Sequence, residues 1–312
     1  MSKIGIIGTG KIGSHLAEHL LSENSISEIN LANRDKDRLA GRLMSLQLRG
    51  HLTGSTTKIQ QLDWKKLDDL DLIILCIKDN YDPRKLIQQN GFPNWFPSNL
   101  RYVGLFKDLP LLELICNNKL KNYKGKIAVI TNPIEITSYF IQQWLPNSKV
   151  FGVGASLDSA RVSYIIKNET QIEIDKYSCV VAGEHGNELI GVSKLWTENK
   201  LLGEISKKQI AEYLAKAKNV GFEIVNKLGF TLQDCTPVFA DDMIWLLDNN
   251  PNKKFHSFAI PTDKTCISKP VNVYDSSIIH FSDYTNQETN KLLDIENRIA
   301  EFIENLSENF EI

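Results

Sequence analysis

Apolar and polar positions along the first half of this chain alternate between two periods. The segment Lys3–Gly8, KIGIIG, is a short apolar run closed by glycine, and predicts a strand. Residues 14–23 place Leu16, Ala17, Leu20 and Leu21 at helical spacing. The same alternation continues with a strand over 28–34, a helix over 36–48 and a continuous apolar strand over 70–77. A helix over 109–120, a strand over 126–133 and a helix over 136–145 follow. Strands that are apolar on both faces and separated by helices predict a parallel sheet covered on both sides. From about residue 150 the texture changes. A strand-like piece at 177–184 precedes long helical patterns at 206–229 and 238–247, short strands up to 281 and a closing amphipathic helix. The expected fold is therefore α/β, a doubly wound parallel Rossmann sheet over residues 1–150 with a second α+β domain over 151–312. The stretch between Ile77 and residue 109 exceeds what a minimal α/β unit needs, and reads either as a functional lid or as a surface excursion.

Composition narrows the class of protein. The 312 residues are 42% hydrophobic and 24% charged with a net charge of −2, ordinary values for a globular chain. No basic run offers a nucleic-acid surface. The five cysteines, Cys76, Cys116, Cys179, Cys235 and Cys266, include no C-x-x-C pair. That argues against zinc and disulfide frameworks and suits a reducing compartment. With no run of membrane length and no signal-peptide pattern, a soluble cytoplasmic protein is expected.

The first chemical motif is Gly8-x-Gly10-x-x-Gly13, which follows the first strand directly and opens a helix. Its glycines permit a tight turn and close approach of backbone to a pyrophosphate, and the helix N-terminus presents free N–H groups. Lys11 and Ile12 lie within the loop. About 20 residues on, the position that reads the ribose is Asn33 rather than an acid. Its neutral side chain removes repulsion toward a 2′-phosphate, and Arg34, with Arg38 one turn later, can pair with that phosphate. NADP is thus favoured over NAD. Asp35 and Asp37 weaken the local positive field, and on that reading NRDKDR is a solvated turn.

Asp158 and Arg161 in SLDSAR share one face at i, i+3 spacing. Either they pair with each other, or the acid orients a base while the arginine holds an anion. The segment Val162–Ile166 after them reads as an apolar element heading inward. His185 lies between glycines in AGEHGNEL, at the end of an apolar run, a setting the other five histidines lack.

These segments together resemble the L-lactate/malate dehydrogenase family. The glycine loop, TNPIEITSYF (131–140), SLDSARVSYII and AGEHGNEL occur in that family's order over roughly residues 4–245. The resemblance implies that His185 is the acid/base that exchanges a proton with the substrate oxygen, and Asp158 its orienting partner. It implies that Arg161 clamps the substrate carboxylate and that Asn132 hydrogen-bonds near the nicotinamide and the reacting oxygen. It assigns the carbonyl-polarising arginine to Arg101, ahead of Arg84, and a pocket threonine to Thr231. Histidine suits its role because an imidazole titrates near neutrality.

The chain also departs from the family. The loop before Arg101 is longer than in ordinary lactate or malate enzymes, as in the L-2-hydroxyisocaproate dehydrogenases. Phe92, Trp95 and Phe96 there suggest cover for a larger, more apolar substrate, while Arg84 or Lys85 would suit an acidic one. The pocket segment TLQDCTP is more polar than usual, and its Asp234 is unexplained. The expected activity is hydride transfer between NADP(H), or NAD(H), and an L-2-hydroxy or 2-oxo acid larger than pyruvate, by a homodimer or homotetramer. Lactate or malate is the alternative substrate. An inactive nucleotide-binding paralogue serving as a sensor is the competing reading.

Overall fold

The computed structural model describes residues 1–82, 85–86, 95–97, 100–170, 172–192, 194–197, 200–228, 232–248, 255–274, 277–280 and 284–310. The chain divides into two compact units, Met1–Gly152 with Phe302–Ile312, and Val153–Glu301.

The first unit is built on strands β1 (Ser2–Ile7), β2 (Ile26–Ala32), β3 (Lys58–Gln61), β4 (Leu72–Leu75), β5 (Lys126–Val129) and β6 (Lys149–Val153). They lie in the order β3-β2-β1-β4-β5-β6, and every neighbouring pair is parallel. This is the doubly wound order, whose switch point falls between β1 and β4. Helices α1 (Lys11–Leu20), α2 (Lys36–Thr53), α3 (Leu105–Ile115) and α4 (Ile134–Trp144) supply the connections. Burial explains the continuous apolar strands: Leu72, Ile73, Ile74 and Leu75 are all fully enclosed. One core joins Ile73, Leu75, Ile127 and Val129 to Leu112 of α3 and Ile141 of α4. Strands β3 and β6 carry no strand prediction because KIQQ is a polar edge segment and KVFGV is short.

In the second unit, α5 (Ala155–Thr170) packs against α6 (Lys207–Leu228) through Val162, Ile166, Ile210, Tyr213 and Ala217. The strands are β7 (Val181–Gly183), β8 (Leu189–Gly191), β9 (Lys194–Thr197), β10 (Lys200–Glu204), β11 (His256–Pro261), β12 (Cys266–Tyr274) and β13 (Ser277–His280). An antiparallel sheet runs β11-β12-β7-β8 with β13 on β12, and β9 and β10 form a separate hairpin. Helix α7 spans Leu232–Leu247 and α8 spans Asn286–Phe310. Helix α7 starts earlier than the pattern at 238 suggests, and it continues through Pro237 at its sixth position, where the missing N–H leaves out one intrahelical hydrogen bond. The apolar run after Arg161 is helical rather than uniformly inward. Val162 and Ile166 are buried, but the 3.6-residue period turns Tyr164 outward. Among the described residues, no helix is long and apolar enough to cross a membrane, and no cluster of metal-ligating side chains occurs.

Candidate functional site

At the end of β1, Gly8 takes φ of 102°, and a Cβ there would stand 2.5 Å from the Cys76 carbonyl oxygen. A Cβ on Gly13 would collide with the Gly8 carbonyl oxygen. A Cβ on Gly10 would meet nothing within 4 Å, so the backbone is open there. Gly10 is also the N-cap of α1 and offers no side chain to occupy the first N–H groups. Lys11 is exposed and Ile12 partly buried beside it. A tight turn, an uncapped helix start and an open glycine face together fit the pyrophosphate of a dinucleotide.

At the end of β2, the Asn33 amide donates to Thr9 Oγ1 at 2.7 Å, and its Oδ1 accepts from the Asp35 N–H at 3.0 Å. Asp35 in turn caps α2 by accepting from the Arg38 N–H at 2.9 Å. Arg34 is not waiting for an anion: its Nη1 lies 2.7 Å from Asp79 Oδ1. The Asn80 N–H, and after it Arg34, hold the Asp79 carboxyl below its usual range. The Asp79 N–H donates to Asp108 Oδ1 at 2.7 Å, and the Tyr81 hydroxyl donates to Asp108 Oδ2 at 3.2 Å. Burial pushes Asp108 up to about 6. No sequence motif marks this acidic cluster, although KDNYD follows the apolar strand β4, at the sheet end where ligands bind.

Asn132 is exposed at the end of β5 and precedes Pro133 through a cis peptide bond. Its neighbour Thr131 ties the ends of β4 and β5 together. Thr131 Oγ1 donates to the Ile77 carbonyl at 2.7 Å and accepts from the Ile77 N–H at 3.1 Å. Arg101 lies partly buried on a short helix, Leu100–Val103. Arg84, Phe92 and Thr231 fall outside the described residues; Lys85 is exposed. Trp95 and Phe96 do not present a free apolar cover. Phe96 packs at 4.9 Å from Phe106 and 5.6 Å from Phe302, and Trp95 at 5.9 Å from Phe302. Their apolar area is used within the first unit.

In the second unit, three serines register α5 against its neighbours. Ser163 Oγ accepts from the Cys179 N–H and Ser159 Oγ from the Val181 N–H, each at 3.2 Å, and Ser156 Oγ donates to the Ser257 carbonyl at 3.2 Å. The same helix thereby carries Asp158 to the turn between β7 and β8, where His185 sits. Gly183 (φ 121°) and Gly186 (φ 67°) shape that turn. His185 Nδ1 and Asp158 Oδ2 are 2.6 Å apart, and both residues are buried. With the carboxylate accepting from Nδ1–H, a neutral ring carries its lone pair on Nε2. Glu184 is buried beside the histidine and receives Arg298 Nη1 at 3.1 Å, while Arg298 Nη2 reaches Glu188 at 2.9 Å.

Arg161 makes its main pairing with neither Asp158 nor open solvent. Its Nη1 is 4.0 Å from Asp158 Oδ1, but Nε and Nη2 converge on Asp234 Oδ2 at 3.2 and 2.6 Å. Asp234 Oδ1 is buried and accepts no hydrogen bond. Helix α6 presses Gly221 onto the guanidinium, where a Cβ would stand 2.6 Å from Nη1. The extra acid in the pocket segment is thus the counter-ion of the candidate anion-binding arginine. A second histidine–aspartate pair also lies in this unit: His256 Nδ1 is 2.7 Å from Asp242 Oδ1, and both residues are buried. Nothing in the sequence marks it, because its partners lie on α7 and β11 with no motif between them.

The NADP oxidoreductase coenzyme F420-dependent family model matches residues 3–85, the glycine loop and the strands around it. An L-lactate dehydrogenase from Lactobacillus delbrueckii subsp. bulgaricus is 27% identical over 80% of this chain and 78% of its own length. The L-lactate dehydrogenase 2 of Lactobacillus acidophilus is 26% identical over 79% of this chain and 78% of its own length. Over about four fifths of its length the chain is thus similar to L-lactate dehydrogenases. Two solved structures carry a similar fold. A lactate dehydrogenase from a Medee basin deep-sea metagenome library superposes with a TM-score of 0.80 at 19% identity, covering 100% of this chain and 99% of that one. The malate dehydrogenase of Salinibacter ruber gives 0.77 at 17% identity, covering 98% of each.

Proposed function

We propose that this lactate dehydrogenase homologue is a nicotinamide-dependent oxidoreductase that interconverts an L-2-hydroxy acid and its 2-oxo acid. The observation that carries the reading is the buried contact of His185 with Asp158 at 2.6 Å. A carboxylate on Nδ1 fixes the tautomer, orients the ring and stabilises the imidazolium. In the reductive direction His185 then delivers a proton from Nε2 to the substrate carbonyl oxygen, and in the oxidative direction Nε2 takes it from the hydroxyl. The nicotinamide supplies or accepts the hydride when bound. From the family resemblance we assign the substrate carboxylate to Arg161, the reacting oxygen to Asn132 and Arg101, and the family's threonine role to Thr231. The glycine loop, with Lys11 and Ile12, receives the pyrophosphate. The packing of Trp95 and Phe96 takes away one argument for a bulky apolar substrate, leaving the long loop as support for a side chain larger than that of pyruvate.

For the cofactor we propose NADP(H) over NAD(H). The neutral Asn33 supports this, and the Arg34–Asp79 pair opposes it by engaging the cation that would meet a 2′-phosphate. Replacing Asp79→Asn should therefore raise the kcat/KM ratio of NADPH to NADH by about tenfold, and Arg34→Ala should lower it. Unchanged ratios in both variants would overturn the NADP assignment. The function itself is tested by following reduced-cofactor absorbance with a panel of 2-oxo acids, with His185→Asn as the control. Turnover by the parent that is lost in the variant is the expected result. The engagement of Arg161 by Asp234 favours one other reading, a nucleotide-binding paralogue without turnover. Cofactor binding with no hydride transfer to any acid would establish it.

A further inference from the structure

The Arg161–Asp234 pair bears on substrate class, and this inference rests on the function proposed above. A guanidinium alone would suit a simple carboxylate. Here the second unit sets two carboxylates, Asp158 and Asp234, against that one guanidinium and the His185 imidazole. A substrate that brings only a carboxylate would add negative charge to a site already holding an excess of it while the imidazole is neutral. Two further observations point to a missing donor. Asp234 Oδ2 takes both Nε and Nη2, while Asp234 Oδ1 is shielded from water with no hydrogen-bond partner. A buried carboxylate oxygen without a donor is costly, and its cost is removed when a ligand supplies one. Gly221 lies against the same guanidinium, with no room for a Cβ between them.

We propose that Asp234 is a specificity-determining residue, and that the substrate is a 2-hydroxy or 2-oxo acid carrying a cationic nitrogen a few bonds from its carboxylate. The ammonium group donates to the Asp234 carboxylate, a side chain that is 28% exposed, while the substrate carboxylate shares the Arg161 guanidinium. The incoming zwitterion leaves the charge of the site unchanged. The reaction balances as before: the hydroxyl proton passes to His185, the C2 hydride to the oxidised nicotinamide, and the ammonium group takes no part in bond making.

The test uses isosteric pairs that differ by ammonium against methyl. The pairs are (S)-3-amino-2-hydroxypropanoate with (S)-2-hydroxybutanoate, and (S)-4-amino-2-hydroxybutanoate with (S)-2-hydroxypentanoate. Their oxidation is followed as cofactor reduction by the parent, by Asp234→Asn and by Asp234→Ala. The parent should prefer the amino member of at least one pair. Both variants should lose that preference by about tenfold or more while still oxidising the methyl member. A parent that prefers the methyl members, or variants that change both members of a pair equally, would show that Asp234 only braces α7 against α5. If no acid is oxidised at all, the oxidoreductase reading fails separately, and calorimetric titration of the same four acids decides this one. Selective binding of the amino members that is abolished by Asp234→Asn sustains the proposal; equal binding, or none, overturns it.

Discussion

Replacing His256→Phe should destabilise the second unit by about 3–5 kcal/mol, the cost of stranding a buried charge. The imidazole is stacked 5.1 Å from Trp245 at 29° and lies 4.3 Å from Tyr177, so phenylalanine keeps the ring packing. What it deletes is the donor 2.7 Å from Asp242, a fully buried carboxyl. Burial already holds that carboxyl above its ordinary range, and His256 opposes the rise. Without His256 the folded-state value climbs further. A carboxyl raised in this way favours folding fully only below its unfolded value of about 4, and the contribution is lost as pH rises through the folded value. The variant should therefore lose more stability than the parent between about pH 5 and about pH 8. Against a domain stability of about 5–15 kcal/mol the loss is large. The assay is urea unfolding monitored by tryptophan fluorescence at both pH values, completed by Asp242→Leu and the double variant. The double variant should recover most of the loss, because an apolar pair strands no charge. Single and double variants that lose the same amount, with no difference in pH response, would refute the reasoning. The consequence reaches the site, because Ser257, next to His256, holds Ser156 on α5, two residues before Asp158.

Three other substitutions probe separate links. Asp158→Asn should lower kcat by about 10²- to 10⁴-fold with KM little changed, measured by steady-state kinetics, because it leaves the His185 tautomer unspecified. Gly13→Ala should weaken dinucleotide binding and cost about 1–3 kcal/mol of stability, read by fluorescence titration and thermal melting, since its Cβ collides with the Gly8 carbonyl. Asp108 sits near 6, so its contribution to stability, worth up to about 3 kcal/mol, is complete below about pH 4 and lost as pH rises through about 6. Asp108→Asn should flatten that stretch of the pH–stability profile.

The first unit was legible because its signal is local. Buried parallel strands such as Leu72–Leu75 are continuous apolar runs, and the glycine loop records a backbone requirement in three residues. What escaped is the part set by distant partners. KIQQ pairs with β2 at a sheet edge and needs no apolar face of its own. The hairpin of β9 and β10 lies in a polar segment, KLWTENKLLGE. The candidate dyad was legible as two motifs, since histidine and aspartate each lie in a distinctive stretch. Asp234 was visible as an oddity in TLQDCTP, but its partner 73 positions earlier was not. The Arg34–Asp79 pair was hidden for the same reason, because Asp79 lies on a different crossover.

Gly221 carries a lesson for anyone who would engineer this chain. A glycine in the interior of a 22-residue helix costs roughly 1 kcal/mol relative to alanine, and exchanging the two is a standard route to thermostability. Here the exchange would drive a methyl group into the Arg161 guanidinium and disturb its pairing with Asp234. Helix α6 is therefore weaker than its length permits, and the weakness is confined to the turn where the arginine needs room. The same exchange at Gly41 of α2 meets nothing within 4 Å, so these two interior helix glycines are not equivalent targets.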